Sequence, residues 1–257
     1  KEHGIDAVNV FDGARARVRI NPITASHIIM QETGIECITH MACRDRNMVG
    51  LQSDLIGAYG LGVRNILAVT GDPTTIGDYP FATSVYDVDS IGLCRALNHM
   101  NKGRDLLGNA LGRATQFLIA CAVNPCADDR EHELKRLEKK VQEGATIAFT
   151  QPVFDMKTLL PFLDSIKSLD VSIMLGIIPL RSARHADFLH YEVPGMIVPA
   201  WVREAMHAAG SNAGEVGLNI ATDFLSEAKE YVQGVYIMPP AKRYDMAIDM
   251  CKRSGVL

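Results

Sequence analysis

The sequence lacks any excess of positive charge. It contains 26 lysines and arginines against 30 aspartates and glutamates, which gives a formal net charge of −4. Proteins that bind nucleic acid or anionic lipid present a basic surface, and this balance does not supply one. Nucleic acid is therefore excluded as a partner, and a small-molecule substrate is favoured.

Long apolar runs are also missing. No stretch reaches the length that crosses a bilayer, and the N-terminal residues KEHGIDAVNV do not combine a basic start with an apolar run as a signal peptide does. We predict a cytoplasmic protein with no membrane partner.

Paired cysteines are the third absence. The six cysteines show no CxxC spacing, which argues against a zinc site and a disulfide framework, so reduced thiols are predicted. They are Cys37, Cys43, Cys94, Cys121, Cys126 and Cys251. No metal is predicted, because most histidines fall in predicted helices rather than at strand ends. These are His99, His132, His185, His190 and His207.

The sequence does have enough apolar content for a large core. Hydrophobic residues make up 47% and charged residues 22% of the 257 positions. Because α/β barrels of this length commonly form one domain, we predict a single domain over residues 1–257.

Short apolar runs alternate with helical stretches, several of which end at a glycine. The runs are almost continuously hydrophobic, which is typical of parallel strands buried on both faces. Strands are predicted at 7–11, 36–42, 65–70, 116–123, 145–150, 172–177 and 235–238. One intervening helix carries an apolar stripe of Leu134, Leu137 and Val141, and a longer helical stretch covers 199–231.

This alternation fits either an open doubly wound sheet or a closed barrel. No G-x-G-x-x-G follows the first predicted strand, and the number of units approaches eight. We therefore predict an α/β fold of the (β/α)8 class, the TIM barrel. The opening KEHG has the pattern of a last helical turn, so the first strand of the barrel is expected to precede Lys1.

Polar motifs follow the predicted strands, at the end where barrel enzymes carry their chemistry. His40 is followed by CRDRN, TGDP occupies 70–73, and TQPVFD occupies 150–155. Taken singly, a strand-end histidine is more often an interior residue, and Asp72 could simply cap its turn. The order of these motifs, with NP at 124–125 and GIIP at 176–179, is more specific than any one of them.

That order resembles the methylenetetrahydrofolate reductase family. THMACRDRNMVGLQSD and AVTGDPTTIGDYP most resemble the branch fused to a homocysteine methyltransferase domain. The resemblance implies a flavoprotein oxidoreductase of one-carbon metabolism and methionine biosynthesis. It would reduce 5,10-methylenetetrahydrofolate to 5-methyltetrahydrofolate by hydride transfer from non-covalent FAD. A reduced nicotinamide or another donor would use the same face, and a second copy of the chain or a fused methyltransferase domain would be the protein partner.

The resemblance also implies roles for individual residues. Asp72 and Gln151 are expected to be catalytic. Gln151 and Phe154 are expected to contact the folate, although a phenylalanine after a strand is often a core residue. The implied cofactor contacts are His40, Thr70, Gly71, Asp72, Tyr86, Asn124, Glu133 and Lys140.

These residue types suit the implied roles. A carboxylate at Asp72 near flavin N1 would tune how readily hydride leaves N5 and would favour a cationic folate iminium. The amide of Gln151 carries a donor and an acceptor side by side, which matches a pterin edge. The spacing of Glu133 and Lys140 puts both on one helix face, against the FAD ribose and phosphate, although Lys139 could replace Lys140 there.

The sequence also departs from the family pattern. Thr70 and Asn124 stand where many members have an arginine and a tyrosine. The family's general-acid glutamate belongs to the strand expected before Lys1, so no residue of this chain is matched to that role.

Two other function classes are weighed against the reductase. A Schiff-base aldolase would need a lysine at a strand end, and the strand at 145–150 is followed by Gln151 instead. The remaining alternative is a non-catalytic folate- or flavin-binding barrel that acts as a partner subunit or module.

Overall fold

The computed structural model describes residues 4–240 and 243–257. Within them, seven strands alternate with nine α-helices. The strands are β1 (Ala7–Val10), β2 (Glu36–Ala42), β3 (Asn65–Val69), β4 (Leu118–Val123), β5 (Ile147–Thr150), β6 (Ser172–Ile177) and β7 (Gly234–Ile237). The helices are α1 (Pro22–Thr33), α2 (Met48–Gly60), α3 (Ser90–Asn101), α4 (Arg130–Gln142), α5 (Met156–Ile166), α6 (Ala183–Glu192), α7 (Ala200–Ala208), α8 (Ala213–Ala228) and α9 (Tyr244–Ser254).

All seven predicted strands are confirmed, and their ends agree with the prediction to within two residues. The apolar runs marked these positions because the strands are buried or half-buried; β2 and β4 are mostly buried, whereas β1 and β7 are half-buried along their whole length. The helix end predicted for residues 1–3 lies outside the described residues.

Strand order follows chain order from β1 to β7. Neighbouring strands pair in parallel, with Ala7 opposite Glu36, Ile38 opposite Asn65, Asn65 opposite Leu118 and Met174 opposite Gly234. A doubly wound sheet would reverse its order at a switch point, and this order does not reverse. The fold is therefore of the (β/α)8 barrel class, and the carboxyl ends of paired strands share one edge.

Residue contacts divide the chain into two compact units. The first comprises Lys1–Ala122 and Arg136–Ile147, and the second comprises Val123–Lys135 and Ala148–Leu257. The first unit contains β1 to β3 and most of β4, while the second contains β6, β7 and α5 to α9. In the second unit, Leu175, Leu225 and Met250 belong to one buried apolar cluster. The single domain remains a prediction.

The helical stretch predicted over 199–231 is not continuous. It forms α7 and α8, which are separated by a short 3-10 helix at Gly210–Asn212. Gly210 has a φ of 53°, the left-handed conformation that commonly ends a helix. Ser211 and Asn212 follow it, and serine and asparagine are residue types whose short polar side chains disfavour the interior of a helix.

Two glycines within helices differ in how closely other atoms approach them, and their substitution should have opposite effects on stability. A Cβ on Gly217 in α8 would clash with the carbonyl oxygen of Leu180, whereas a Cβ on Gly57 in α2 would meet nothing within 4 Å. Gly217→Ala should lower the free energy of unfolding by about 2 kcal/mol, because a backbone atom must move. Gly57→Ala should raise it by about 0.5–1 kcal/mol through helix propensity. Urea denaturation of both variants measures these changes, and a neutral Gly217→Ala would contradict the close approach of α8.

Candidate active site

His40 is an interior histidine at the strand-end edge of the first unit. Its ring Nε2 lies 3.0 Å from Oδ1 of Asn9, and its ring centroid lies 4.7 Å from that of Phe11. The residue is 6% exposed, and burial lowers the pKa of His40 to about 4. His40 therefore presents a neutral ring at neutral pH.

The TGDP motif forms a tight turn directly after β3. Gly71 has a φ of 93°, and a Cβ there would lie 3.2 Å from Cβ of Ala42 at the end of β2. Thr70 accepts a hydrogen bond from the backbone N–H of Ser90, at the start of α3, at 3.1 Å. Glycine is required because the turn has positive φ and passes close to the neighbouring strand.

Asp72 does not cap its own turn. Its Oδ2 accepts a hydrogen bond from the backbone N–H of Arg15 at 2.6 Å, so the carboxylate holds the segment that follows β1. Arg15 and Ala16 both have positive φ, 58° and 50°, which is uncommon for residues other than glycine. The side chain of Asp72 is otherwise exposed.

Tyr86 lies against the same turn. Its hydroxyl donates to the carbonyl oxygen of Gly71 at 3.2 Å, and its own φ is 47°. Burial raises the pKa of the Tyr86 hydroxyl, which stays protonated at neutral pH and acts as a donor.

Sequence reasoning missed the ionic network under these segments. Arg46 bridges Asp12 and Asp54 with N–O distances of 2.7 Å, and Asp12 also accepts from the backbone N–H of Ala42 at 2.8 Å. Arg44 pairs with Asp45 at 2.6 Å. The signal was the alternating charges of CRDRN directly after a buried strand, a pattern that places two arginines where carboxylates must accompany them.

Lys140 is buried in the first unit. It is 4% exposed, and its Nζ donates to the carbonyl oxygen of Ala122 in β4 at 2.7 Å. The predicted stripe of α4 is present, since Leu137 is buried and its stripe neighbours are half-buried. Lys140 extends the buried face, and its contact with a phosphate remains a prediction.

Asn124 and Glu133 form a strand-end cluster in the second unit. Glu133 Oε1 accepts from the backbone N–H of Asn124 at 2.9 Å, and the Asn124 amide donates to the carbonyl oxygen of Gly195 at 2.9 Å. Beside them is a cleft of about 120 Å³. Its walls include Asn124, Arg130, Glu133, Leu134, Pro161 and Phe162.

Gln151 and Phe154 follow β5 in the second unit but differ in exposure. Gln151 is exposed, and its backbone N–H donates to the carbonyl oxygen of Val123 at 2.8 Å. Its side-chain amide has no hydrogen-bond partner among the described residues. Phe154 is 6% exposed and packs in an apolar cluster with Ile178 and Leu180.

Across residues 4–240 and 243–257, no three histidine, cysteine or acidic side chains are grouped so that they could hold a metal ion. In the same ranges, every helix is too short or too polar to span a bilayer.

Comparison with known sequences decides the family. The methylenetetrahydrofolate reductase family profile matches residues 1–244. The chain belongs to that family. It is 27% identical to the 5,10-methylenetetrahydrofolate reductases of Salmonella typhimurium and Escherichia coli, over 97% of this chain and 80% of theirs. As a member of the methylenetetrahydrofolate reductase family, the chain is an oxidoreductase of one-carbon metabolism that acts on folate.

A solved structure agrees with the fold. An uncharacterized protein from Clostridium thermocellum, which binds two copies of 5-methyl-5,6,7,8-tetrahydrofolic acid, matches with a TM-score of 0.60 at 13% identity. The match covers 99% of this chain and 85% of that one. At this identity the likeness shows the barrel class alone.

The buried state of His40 predicts a pH-dependent stability. Unfolded histidine has a pKa of 6.5 and folded His40 one of about 4, so the unfolded state binds more protons between these values. The free energy of unfolding should therefore fall as pH drops from 6.5 towards 4, and His40 should contribute no slope above that window. In His40→Gln, the decrease in the free energy of unfolding between pH 7 and pH 4.5 should be smaller than in the wild type by about 2 kcal/mol.

Denaturant unfolding at pH 7 and pH 4.5 measures this loss. His132→Gln, at an exposed position of α4, is the matched control and should keep the wild-type dependence. His185, whose pKa burial also lowers to about 4, contributes equally in all three proteins. Equal losses in wild type and His40→Gln would contradict the assignment.

Proposed function

We propose that the chain binds FAD non-covalently at its strand ends and reduces 5,10-methylenetetrahydrofolate to 5-methyltetrahydrofolate. The proposal depends on two side chains of neighbouring strands. His40 in β2 has a neutral ring, and Asp72, directly after β3, is exposed. Family membership supports the folate substrate. When bound, FAD would accept hydride from a reduced nicotinamide or another donor and pass it to the folate.

Asp72 suits a place beside the flavin pyrimidine. Only its Oδ2 is engaged, by the N–H of Arg15, and its Oδ1 makes no hydrogen bond with the described residues. One carboxylate oxygen therefore remains for a ligand. A negative charge there disfavours an anionic reduced flavin and favours a cationic folate. Neutral His40 adds no opposing charge on the neighbouring strand.

Glu133 suits the adenylate half of FAD. One of its oxygens holds the N–H of Asn124, and the other can accept from a ribose hydroxyl at the 120 Å³ cleft. We assign Lys140 to a phosphate of FAD; its ammonium has three N–H donors, and the carbonyl oxygen of Ala122 takes one. Thr70 and Tyr86, which contact main chain, shape the loops around the cofactor.

Gln151 suits the pterin. Its backbone is fixed by the carbonyl oxygen of Val123, while its exposed amide keeps both a donor and an acceptor for the pterin edge. Phe154, buried three residues later in an apolar cluster, anchors the segment that carries Gln151 at the proposed folate site.

The proposed reaction has two half-reactions, flavin reduction by the nicotinamide donor and flavin reoxidation by the folate. Substitution of Gln151 should affect only the second. Gln151→Ala should slow flavin reoxidation by methylenetetrahydrofolate about tenfold, because two hydrogen bonds to the pterin are lost. Flavin reduction by the nicotinamide donor should change little. Stopped-flow flavin absorbance, recorded separately with each substrate, measures both rates.

The control is Gln142→Ala, at the exposed end of α4, which should leave both rates at the wild-type value. If Gln151→Ala slowed both half-reactions equally, its role at the pterin would be lost.

A further inference from the structure

A buried arginine ties together the segments that carry Asp72. Nη1 of Arg44 donates to the carbonyl oxygen of Asp72 at 3.1 Å and to that of Gly13 at 3.3 Å. Arg44 is 4% exposed, and its own carbonyl oxygen accepts from the N–H of Val85, next to Tyr86, at 2.7 Å. One side chain therefore contacts the segments that follow β1 and β3, and its main chain contacts the loop before α3.

The positive charge of Arg44 is paired with Asp45 and not with the carboxylate of Asp72. Its Nε and Nη2 donate to the two carboxylate oxygens of Asp45 at 2.7 and 2.6 Å, a bidentate pair. Arg44 thus meets Asp72 through the main-chain carbonyl and not through the carboxylate. The Asp72 carboxylate therefore accepts a hydrogen bond from the N–H of Arg15 and keeps its negative charge for a ligand.

We propose that Arg44 is a positioning residue for Asp72. It fixes the main chain on both sides of the Asp72–Arg15 contact, so that the Asp72 carboxylate keeps its orientation and its negative charge stays unpaired. This inference rests on the proposed role of Asp72 at the flavin. The guanidinium is specifically required, because its planar fork donates to Asp45 and to two carbonyl oxygens at once. A lysine keeps the charge but offers a single nitrogen for all of these partners.

The contact between Asp72 and Arg15 can be followed without any cofactor. In the cofactor-free protein, Arg44→Lys should make the amide of Arg15 exchange its hydrogen about tenfold faster, because its acceptor is no longer held in place. Site-resolved hydrogen–deuterium exchange measures this rate.

Arg95→Lys is the matched control. It removes the same fork from an exposed pair with Glu143 in the first unit and should leave the Arg15 amide unchanged. Unchanged exchange in Arg44→Lys would overturn the positioning role.

A double-mutant cycle on the FAD-loaded protein tests the electrostatic part. Asp72→Asn should raise the flavin midpoint potential, since a nearby negative charge is removed. In the Arg44→Lys background the same substitution should raise it by only about half as much, because the carboxylate is no longer aimed. Equal shifts in the two backgrounds would overturn the inference. If Asp72→Asn left the potential of the parent protein unchanged, the proposed flavin role would fail, and the exchange measurement alone would decide the positioning role.

Discussion

The strand-end segments of the first unit depend on carboxylates that accept main-chain N–H groups. Asp72 holds Arg15, and Asp78 holds the N–H of Val18 at 2.9 Å. These contacts stabilise a segment in which Arg15 and Ala16 adopt left-handed conformations, each at a cost of about 1–2 kcal/mol. The same side chains thus build the loops and remain available to a ligand. Backbone strain of this kind clusters at functional sites, which agrees with a site at these strand ends.

Burial decides which charges this site can offer. His40 is desolvated without a carboxylate partner, so its neutral form is favoured. Arg44 is equally buried but keeps its charge, because Asp45 pairs with it at the surface. The result is a strand-end edge where the exposed carboxylate of Asp72 forms no salt bridge with any residue that the structure describes. That arrangement suits chemistry in which positive charge develops on the folate.

Much of the fold could be predicted from the sequence, whereas the contacts of the site could not. The strands were predictable because each is a nearly continuous apolar run, and the strand-end positions of Asp72 and Gln151 followed from them. The contact between Asp72 and Arg15 joins residues 57 positions apart through a backbone group in an unusual conformation, and no local pattern encodes it. Burial of Lys140 was also unpredictable, because a lysine in a charged helix is normally solvated and only the packing against β4 reverses this.

We propose above that this chain holds a flavin that exchanges hydride with folate. The most direct measurement is the visible absorbance spectrum of the purified protein, titrated without oxygen with 5-methyltetrahydrofolate. We expect a flavin band that bleaches as the folate is added, and we expect denaturation to release the flavin as FAD. A protein that binds the folate without any flavin band, or whose band does not bleach, would contradict the proposal and would favour a non-catalytic folate-binding barrel.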